Sequence, residues 1–459
     1  MKQIFKGNKQ IRFFFFLFLI WLPFGTKKFI YPFIAGSVSE LNSAFLYASE
    51  LFLAYFLFLT FLEWRRTRTR LDDKPNFILL SLFLAAALVS VFFAFNKSLA
   101  LYQLVHLILG MGLALVLGYL LKTGVLKNHE IFSALGLGAL FQSFVAFWQF
   151  KFQHSLGLYF LGESLASPFV KGVSEISVAG GRLMRAYGTM SHANILAAFL
   201  VLGLISFYYF YLEAKNFGAR ILSAVGIFFI GLALIFTFSR SGWITAILAS
   251  LIFLVWAALN RDYRRRISGL AVILGACFLL FLITMGWAIF PRARLAIDSS
   301  INDRLIYNRM AVQIVGQHPL GVGIGNEMLF GIETKLFQNY GLDTVNRWQP
   351  IHNLYLLMAA EIGVLASLIF IFFLVRIFVR CLGNSRNNPR IITAGTLLLA
   401  LLIGGFSDHF LWDLQSGRLM LWLVIGILLG IGRSPRGLMD KTSPSEGGNR
   451  GSIPLEGTR

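Results

Sequence analysis

Several arginines set among small hydroxyl residues, with one well-placed histidine, are the groups in this chain able to hold an anion and take up a proton. The stretch Thr237-Phe-Ser239-Arg240-Ser241-Gly-Trp243 interrupts an otherwise continuous apolar run. An arginine at or below a membrane surface costs up to roughly 3 kcal/mol on insertion scales, so it needs a partner, and a guanidinium flanked by two serines suits a phosphate. The plainer reading is an arginine snorkelling to lipid headgroups. Arg182-Leu-Met-Arg185-Ala-Tyr187-Gly-Thr189-Met-Ser-His192-Ala-Asn194 adds two cations and an amide just before another apolar run. Read alone, those two arginines are ordinary surface charges. His352, followed by Asn353, stands where a long polar interval ends, and a neutral imidazole of pKa ~6.5 can take a proton from a hydroxyl near pH 7. Glu361 lies inside the apolar run that follows, where a buried carboxylate either pairs with a cation or does chemistry. Arg304 supplies a further cation within the polar interval.

Together these residues fit a displacement at a sugar anomeric carbon. Arginines stabilise the charge that develops on a leaving lipid diphosphate, and the histidine helps a hydroxyl to attack. A diphosphate leaves readily, so no strong general acid is needed. Hydrolysis by paired carboxylates is not supported, because no candidate pair is present. The run His318-Pro-Leu-Gly321-Val-Gly323-Ile-Gly325-Asn326 has the look of a nucleotide loop, but it follows a helical pattern and lacks the third glycine spacing. Its backbone amides remain candidates for a phosphate or sugar. The acids Asp298, Asp303, Glu327 and Asp343 are scattered and no ligand spacing is present, so no metal and no cofactor are expected.

The elements that must position these groups follow from composition. The chain has 459 residues, of which 57% are hydrophobic and only 14% charged, with mean hydropathy +0.71. That composition belongs to polytopic membrane proteins. About twelve apolar runs of spanning length begin near residues 13, 43, 77, 99, 131, 193, 221, 243, 267, 353, 391 and 418. The expected fold is therefore an all-α polytopic membrane protein. The net charge of +20 raises the question of nucleic acid, but most Lys and Arg fall in alternate short turns and both tails, as the positive-inside rule requires. Nucleic acid is thereby disfavoured, and both ends are placed on the cytoplasmic side. Cys277 and Cys381 fall at different depths and offer no disulfide framework.

The domain organisation expected is one multi-span unit, 1–432, with a large extracytoplasmic loop at about 291–352 between the ninth and tenth spans, and a Ser/Gly/Pro-rich disordered cytoplasmic tail, 433–459. Within the loop, Ser300-Ile-Asn-Asp303 reads as a capping box opening a helix over Arg304–Gln317. That helix would turn Leu305, Ile306, Met310, Val312 and Ile314 inward. A second short helix is expected over Glu327–Tyr340.

In combination and order, the Arg185–Asn194 stretch, the Thr237–Trp243 turn, the His318–Gly325 run and His352-Asn353 with Gly363 resemble the O-antigen ligase and O-antigen polymerase superfamily, over about residues 182–430. The resemblance implies a GT-C-like multi-helical fold in the bacterial inner membrane and a glycosyltransferase with its site on the extracytoplasmic side. The implied donor is an undecaprenyl-diphosphate-linked glycan, and the implied transfer is metal-independent and inverting. It implies an essential histidine at His352 and an essential arginine at Arg240. Arg304 matches a second donor-phosphate arginine, with Arg182, Arg185, Asn194, Ser239, Asn353 and Glu361 as further substrate-binding positions. Ala366 stands where ligases of the superfamily keep a glycine, so ligase and polymerase remain alternatives. The acceptor is a lipid, a polysaccharide or a protein. A flippase or transporter of a lipid-linked glycan is the competing class, and it would place charges near the bilayer midplane. In this chain Arg240, Arg304 and His352 cluster at the outer boundary.

Overall fold

The computed structural model describes residues 2–34, 39–67, 73–168, 170, 173–178, 181–294, 299–383 and 388–431; the tail expected to be disordered and Asp298 lie outside them. The chain is an all-α multi-pass membrane protein, and a helix stands on every apolar run named above. In order the elements are α1 (Lys2–Trp21), β1 (Lys27–Pro32), β2 (Ser43–Tyr47), α2 (Ala48–Thr67), α3 (Lys74–Phe92), α4 (Lys97–Lys122) and α5 (Asn128–Phe152). There follow β3 (Glu175–Val178), β4 (Gly181–Met184), α6 (Ala193–Glu213), α7 (Phe217–Phe236), α8 (Arg240–Ala258) and α9 (Arg264–Arg294). The long loop holds α10 (Ser299–Gln317), α11 (Glu327–Glu333) and α12 (Leu336–Asn339); then come α13 (Leu354–Ile362), α14 (Val364–Gly383), α15 (Pro389–Gly405), α16 (Phe410–Asp413) and α17 (Gln415–Ile431). Among the described residues eight helices are long and apolar enough to cross a membrane, and α15 and α17 are apolar but shorter.

Short polar residues start these helices where the apolar runs begin. Asn96, Asn216, Ser239, Asn353 and Asn388 each accept a hydrogen bond from a backbone amide of the first turn of α4, α7, α8, α13 and α15. The helices alternate between two ends. At one end Asp73 accepts from Arg380 (2.5 Å) and lies 3.6 Å from Lys122, while Arg376 donates to Asn76 (3.1 Å). At the other, here called the loop end, the long connections meet. α6 is the central helix, with 83% of its span residues buried, and it packs against α5, α7 and α15. The span within α9 is peripheral, with 11% buried.

Four local expectations are corrected. The run beginning near 43 opens as strand β2, paired antiparallel with β1, and only then becomes α2. The helix of the large loop starts at Ser299, so the expected capping box lies inside it, and Asp303 instead pairs with Arg347 at 2.6 Å. On that helix Met310 and Ile314 are buried, but Leu305 and Val312 are exposed, because the buried stripe runs through Tyr307, Met310, Ala311 and Ile314. The expected 327–340 helix is broken into α11 and α12 at Lys335, whose φ is +57°. The hairpins β1–β2 and β3–β4 carry no hydropathy signal in a chain this apolar.

The tenth span is also divided. Gly363, at φ +89°, separates α13 from α14, and a Cβ there would sit 2.8 Å from the Pro319 carbonyl oxygen. The glycine run packs into this break. Val322 and Gly323 donate to the carbonyls of Ala360 and Glu361 (2.9 Å each), Ile324 donates to Ser90 Oγ (3.2 Å), and Gly325 donates to the Glu361 carboxylate (2.8 Å).

Candidate functional site

The 185–194 stretch is fixed in place from below by α5. Gln149 and Gln142 share one face of that helix. Gln149 Oε1 accepts from the amides of Tyr187 and Gly188, and Gln142 Oε1 accepts from Thr189. The Ala186 amide donates to the Phe236 carbonyl at 2.9 Å, which ties the stretch to the end of α7. The turn from α7 to α8 is tight enough to hold Phe238 at φ +47°, a costly conformation for a bulky residue, with Phe238 buried. Trp243 braces the turn by donating to the Leu234 carbonyl at 2.9 Å.

Three loops then converge on Asn194. Its Oδ1 accepts from Arg185 Nη2 (2.6 Å) and Ser239 Oγ (2.9 Å), and its Nδ2 donates to Asp408 Oδ2 (2.6 Å). Arg185 is fully engaged: Nε donates to the Thr237 carbonyl (2.8 Å) and Nη1 to Ser174 Oγ (2.9 Å). It is a strut of the site. Arg240 is the first residue of α8 and is half-buried. The N-termini of α6 and α8 therefore meet here, and their positive ends favour an anion. A narrow cleft, of about 20 Å³, lies between α6, α8 and α15, lined in part by Asn194, Ser241, Gly242, Thr245 and Phe410.

His352 closes the other side. Its Nδ1 lies 2.8 Å from the Pro350 carbonyl, which can only accept, so Nδ1 carries the proton and Nε2 keeps its lone pair. Tyr307 from α10 stacks on the ring at 5.5 Å and 18°. The edge of His409 meets it at 4.9 Å and 77°. His409 is itself clamped, with Nδ1 2.7 and 2.8 Å from the two oxygens of Asp413 and Nε2 3.9 Å from Asp408.

Burial, and then the charge of His409, push the His352 pKa down to about 4. Burial works against charge on His409 too, but the Asp413 contact and the Asp408 charge outweigh it and raise its pKa to about 9. For Asp408 burial is outweighed by His409, His352, His192 and Arg304, so it stays ionised. At neutral pH the cluster is a neutral His352 beside a charged His409 held by two carboxylates. Arg304, half-buried on α10 one turn before Tyr307, is close enough for its charge to act on both His352 and Asp408.

The structure thus brings Arg185, Asn194, Ser239 and Asp408 into direct contact, and sets His352 against His409 and Tyr307. Arg182 goes elsewhere, to an exposed ion pair with Glu175 (3.0 Å) across the β3–β4 hairpin. Asn353 is a helix cap, its Oδ1 accepting from Tyr355 and Leu356. Among the described residues Glu361 pairs with no arginine; it accepts from Gly325 N (2.8 Å) and Trp412 Nε1 (2.7 Å), so it anchors the glycine run. Asp408, His409 and Asp413 were missed in the sequence. The available signal was three titratable residues within a short turn between two apolar runs.

Residues 225–371 match the family model described as O-antigen ligase. No curated protein matches the chain. The family match bears out the superfamily resemblance read from the motifs, and points to an O-antigen ligase- or polymerase-type function in a multi-pass membrane protein. The matched stretch contains Arg240, Arg304, His352 and Glu361, whereas Arg185, Asn194 and Asp408 to Asp413 lie on either side of it.

Proposed function

We propose that this protein is a bacterial inner-membrane glycosyltransferase that moves a glycan from undecaprenyl diphosphate to a hydroxyl acceptor, with its site on the extracytoplasmic side. The observation that carries this reading is His352: Nδ1 is pinned to a carbonyl and the ring is held neutral beside arginine-bearing helix ends. Arg240 and Arg304 bind the diphosphate. The acceptor hydroxyl gives its proton to His352 Nε2, and its oxygen forms a bond to the anomeric carbon. The bond from that carbon to the diphosphate oxygen breaks, and undecaprenyl diphosphate leaves with the electron pair. Attack opposite the leaving group inverts the configuration.

In this scheme the arginines stabilise the charge developing on the diphosphate, so the transfer proceeds without a metal. Arg185, Asn194 and Ser239 keep the α8 turn in register with Asp408. The cation at His409 disfavours a resting proton on His352. A polymerase would use the same chemistry with a second lipid-linked glycan as acceptor.

The test is transfer by purified protein from a polyprenyl-diphosphate oligosaccharide to a panel of acceptors, with and without EDTA and with His352→Ala. The expected result is transfer that survives EDTA and falls at least about a hundredfold in the variant, the usual worth of a general base. The acceptor used separates ligase from polymerase. Near-normal turnover by His352→Ala, or donor carried across vesicles with no transfer, would overturn the reading.

A further inference from the structure

A large apolar cleft has no part in the chemistry above. It measures about 330 Å³ and runs between α7, α8 and α9, with α6 behind. Its walls include Ile227 and Leu234 on α7, Ile247 and Leu254 on α8, and Leu274 and Phe278 on α9. Its hydroxyls are already paired, Tyr208 Oη with Ser250 Oγ at 2.8 Å and Ser250 Oγ with the Ala246 carbonyl at 2.6 Å. Along α8 the cleft extends from Trp243 to Leu254, a rise of roughly 16 Å at 1.5 Å per residue, close to half a hydrocarbon core of about 30 Å.

Three features distinguish this cleft from an ordinary lipid-facing seam. Gly231 and Gly275 line it from facing helices, and a Cβ built on either meets nothing within 4 Å, so the gap is wide. The span within α9 is almost unburied, which leaves the gap open sideways: Leu251 and Phe278 are 53% and 47% exposed. Trp243, packed on Phe281 at 4.8 Å, closes its upper end one helical turn from Arg240. The cleft thus runs directly from the turn that carries Arg240 down into the bilayer.

We infer that this α7–α8–α9 cleft holds the first isoprene units of the donor's polyisoprenyl chain, placing the diphosphate at Arg240. This rests on the glycosyltransferase reading and adds the seat of the lipid. A methyl-branched chain needs the width that the two glycines leave, and the head of such a chain emerges at the guanidinium, giving apolar and charge complementarity in one ligand. A phospholipid acyl chain is the alternative occupant to be tested.

Filling the cleft makes the experiment. Gly231→Phe and Gly275→Phe place rings in open space, so both variants are expected to fold. Donors carrying an eleven-unit and a two-unit prenyl chain are compared in the transfer assay, and a diazirine-bearing polyprenyl diphosphate without glycan is photolysed on the same proteins. The expected results are a rise of about tenfold in KM for the long donor, equivalent to about 1.4 kcal/mol, with the short donor unchanged. Wild-type peptides of α8 and α9 should be labelled and the variants should not. Equal effects on both donors, no effect on either, or labelling displaced as well by phosphatidylglycerol as by polyprenyl diphosphate would overturn the cleft assignment while leaving transfer intact. Loss of wild-type transfer from both donors would sink the parent reading, and the cleft assignment with it.

Discussion

The Asn194 junction and the glycine run at 321–325 look alike in sequence: both are short polar or small-residue stretches beside apolar runs, and both suggest anion binding. Their structures differ in what is left over. In the glycine run four consecutive amides, 322 to 325, are spent on Ala360, Glu361 and Ser90. A Cβ on Gly323 would come within 2.5 Å of Ala94 Cα, and one on Gly325 within 2.4 Å of Gln103 Cγ. These glycines permit close packing, and no phosphate cradle remains. At the Asn194 junction, the amide of Asn194 ties Ser239 and the charged Arg185 and Asp408, and so three loops, together around a cleft, beside Arg240 and the ends of α6 and α8. Glycine spacing reports backbone approach; whether the amides are available depends on what approaches.

Breaking the junction should have the larger effect. Asn194→Ala removes the shared partner of Arg185, Ser239 and Asp408, and is expected to lower kcat about a hundredfold by misplacing the α8 turn. It should also cost about 3 kcal/mol of stability by leaving buried charged groups short of a partner. Activity assays and thermal unfolding in detergent measure both; loss of stability with unaltered kcat would reduce the junction to scaffold. Gly323→Ala should show the reverse split. Its φ of +101° and the Ala94 contact predict about 2 kcal/mol of destabilisation, with KM unchanged for the protein that remains folded. A large KM change would return the glycine run to the binding site.

The smallest effect sharpens the roles within the cluster. His352 is neutral above about pH 4 and His409 is charged below about pH 9, so kcat/KM should be flat between those limits and fall below pH 4 as the base takes up a proton. Burial lowers the His352 pKa most and the His409 charge lowers it further, with Arg304 acting in the same direction and Asp408 against. His409→Gln removes one of these cations, so the His352 pKa rises. The acid limb should then move up by about one pH unit. An unmoved limb in a folded variant would show that His409 only fills space.

The sequence by itself determined the membrane class, the apolar runs on which the spanning helices stand, and that Arg240, Arg304 and His352 are groups able to do chemistry. A bilayer leaves the backbone only helix or closed barrel, and apolar runs of this length select helix, so hydropathy locates the spans, and an arginine or histidine among apolar residues stands out. What it could not give was partnership. Asn194 and Asp408 are 214 positions apart, and His352 and His409 meet across different loops. Only the packing of α6 against α8 and α15, and of α13 against α16, makes them neighbours. The same packing sent Arg182 to the surface and turned Glu361 toward Gly325 and Trp412. A residue type states what a side chain can do; tertiary structure decides which of its hydrogen bonds and charges are already taken.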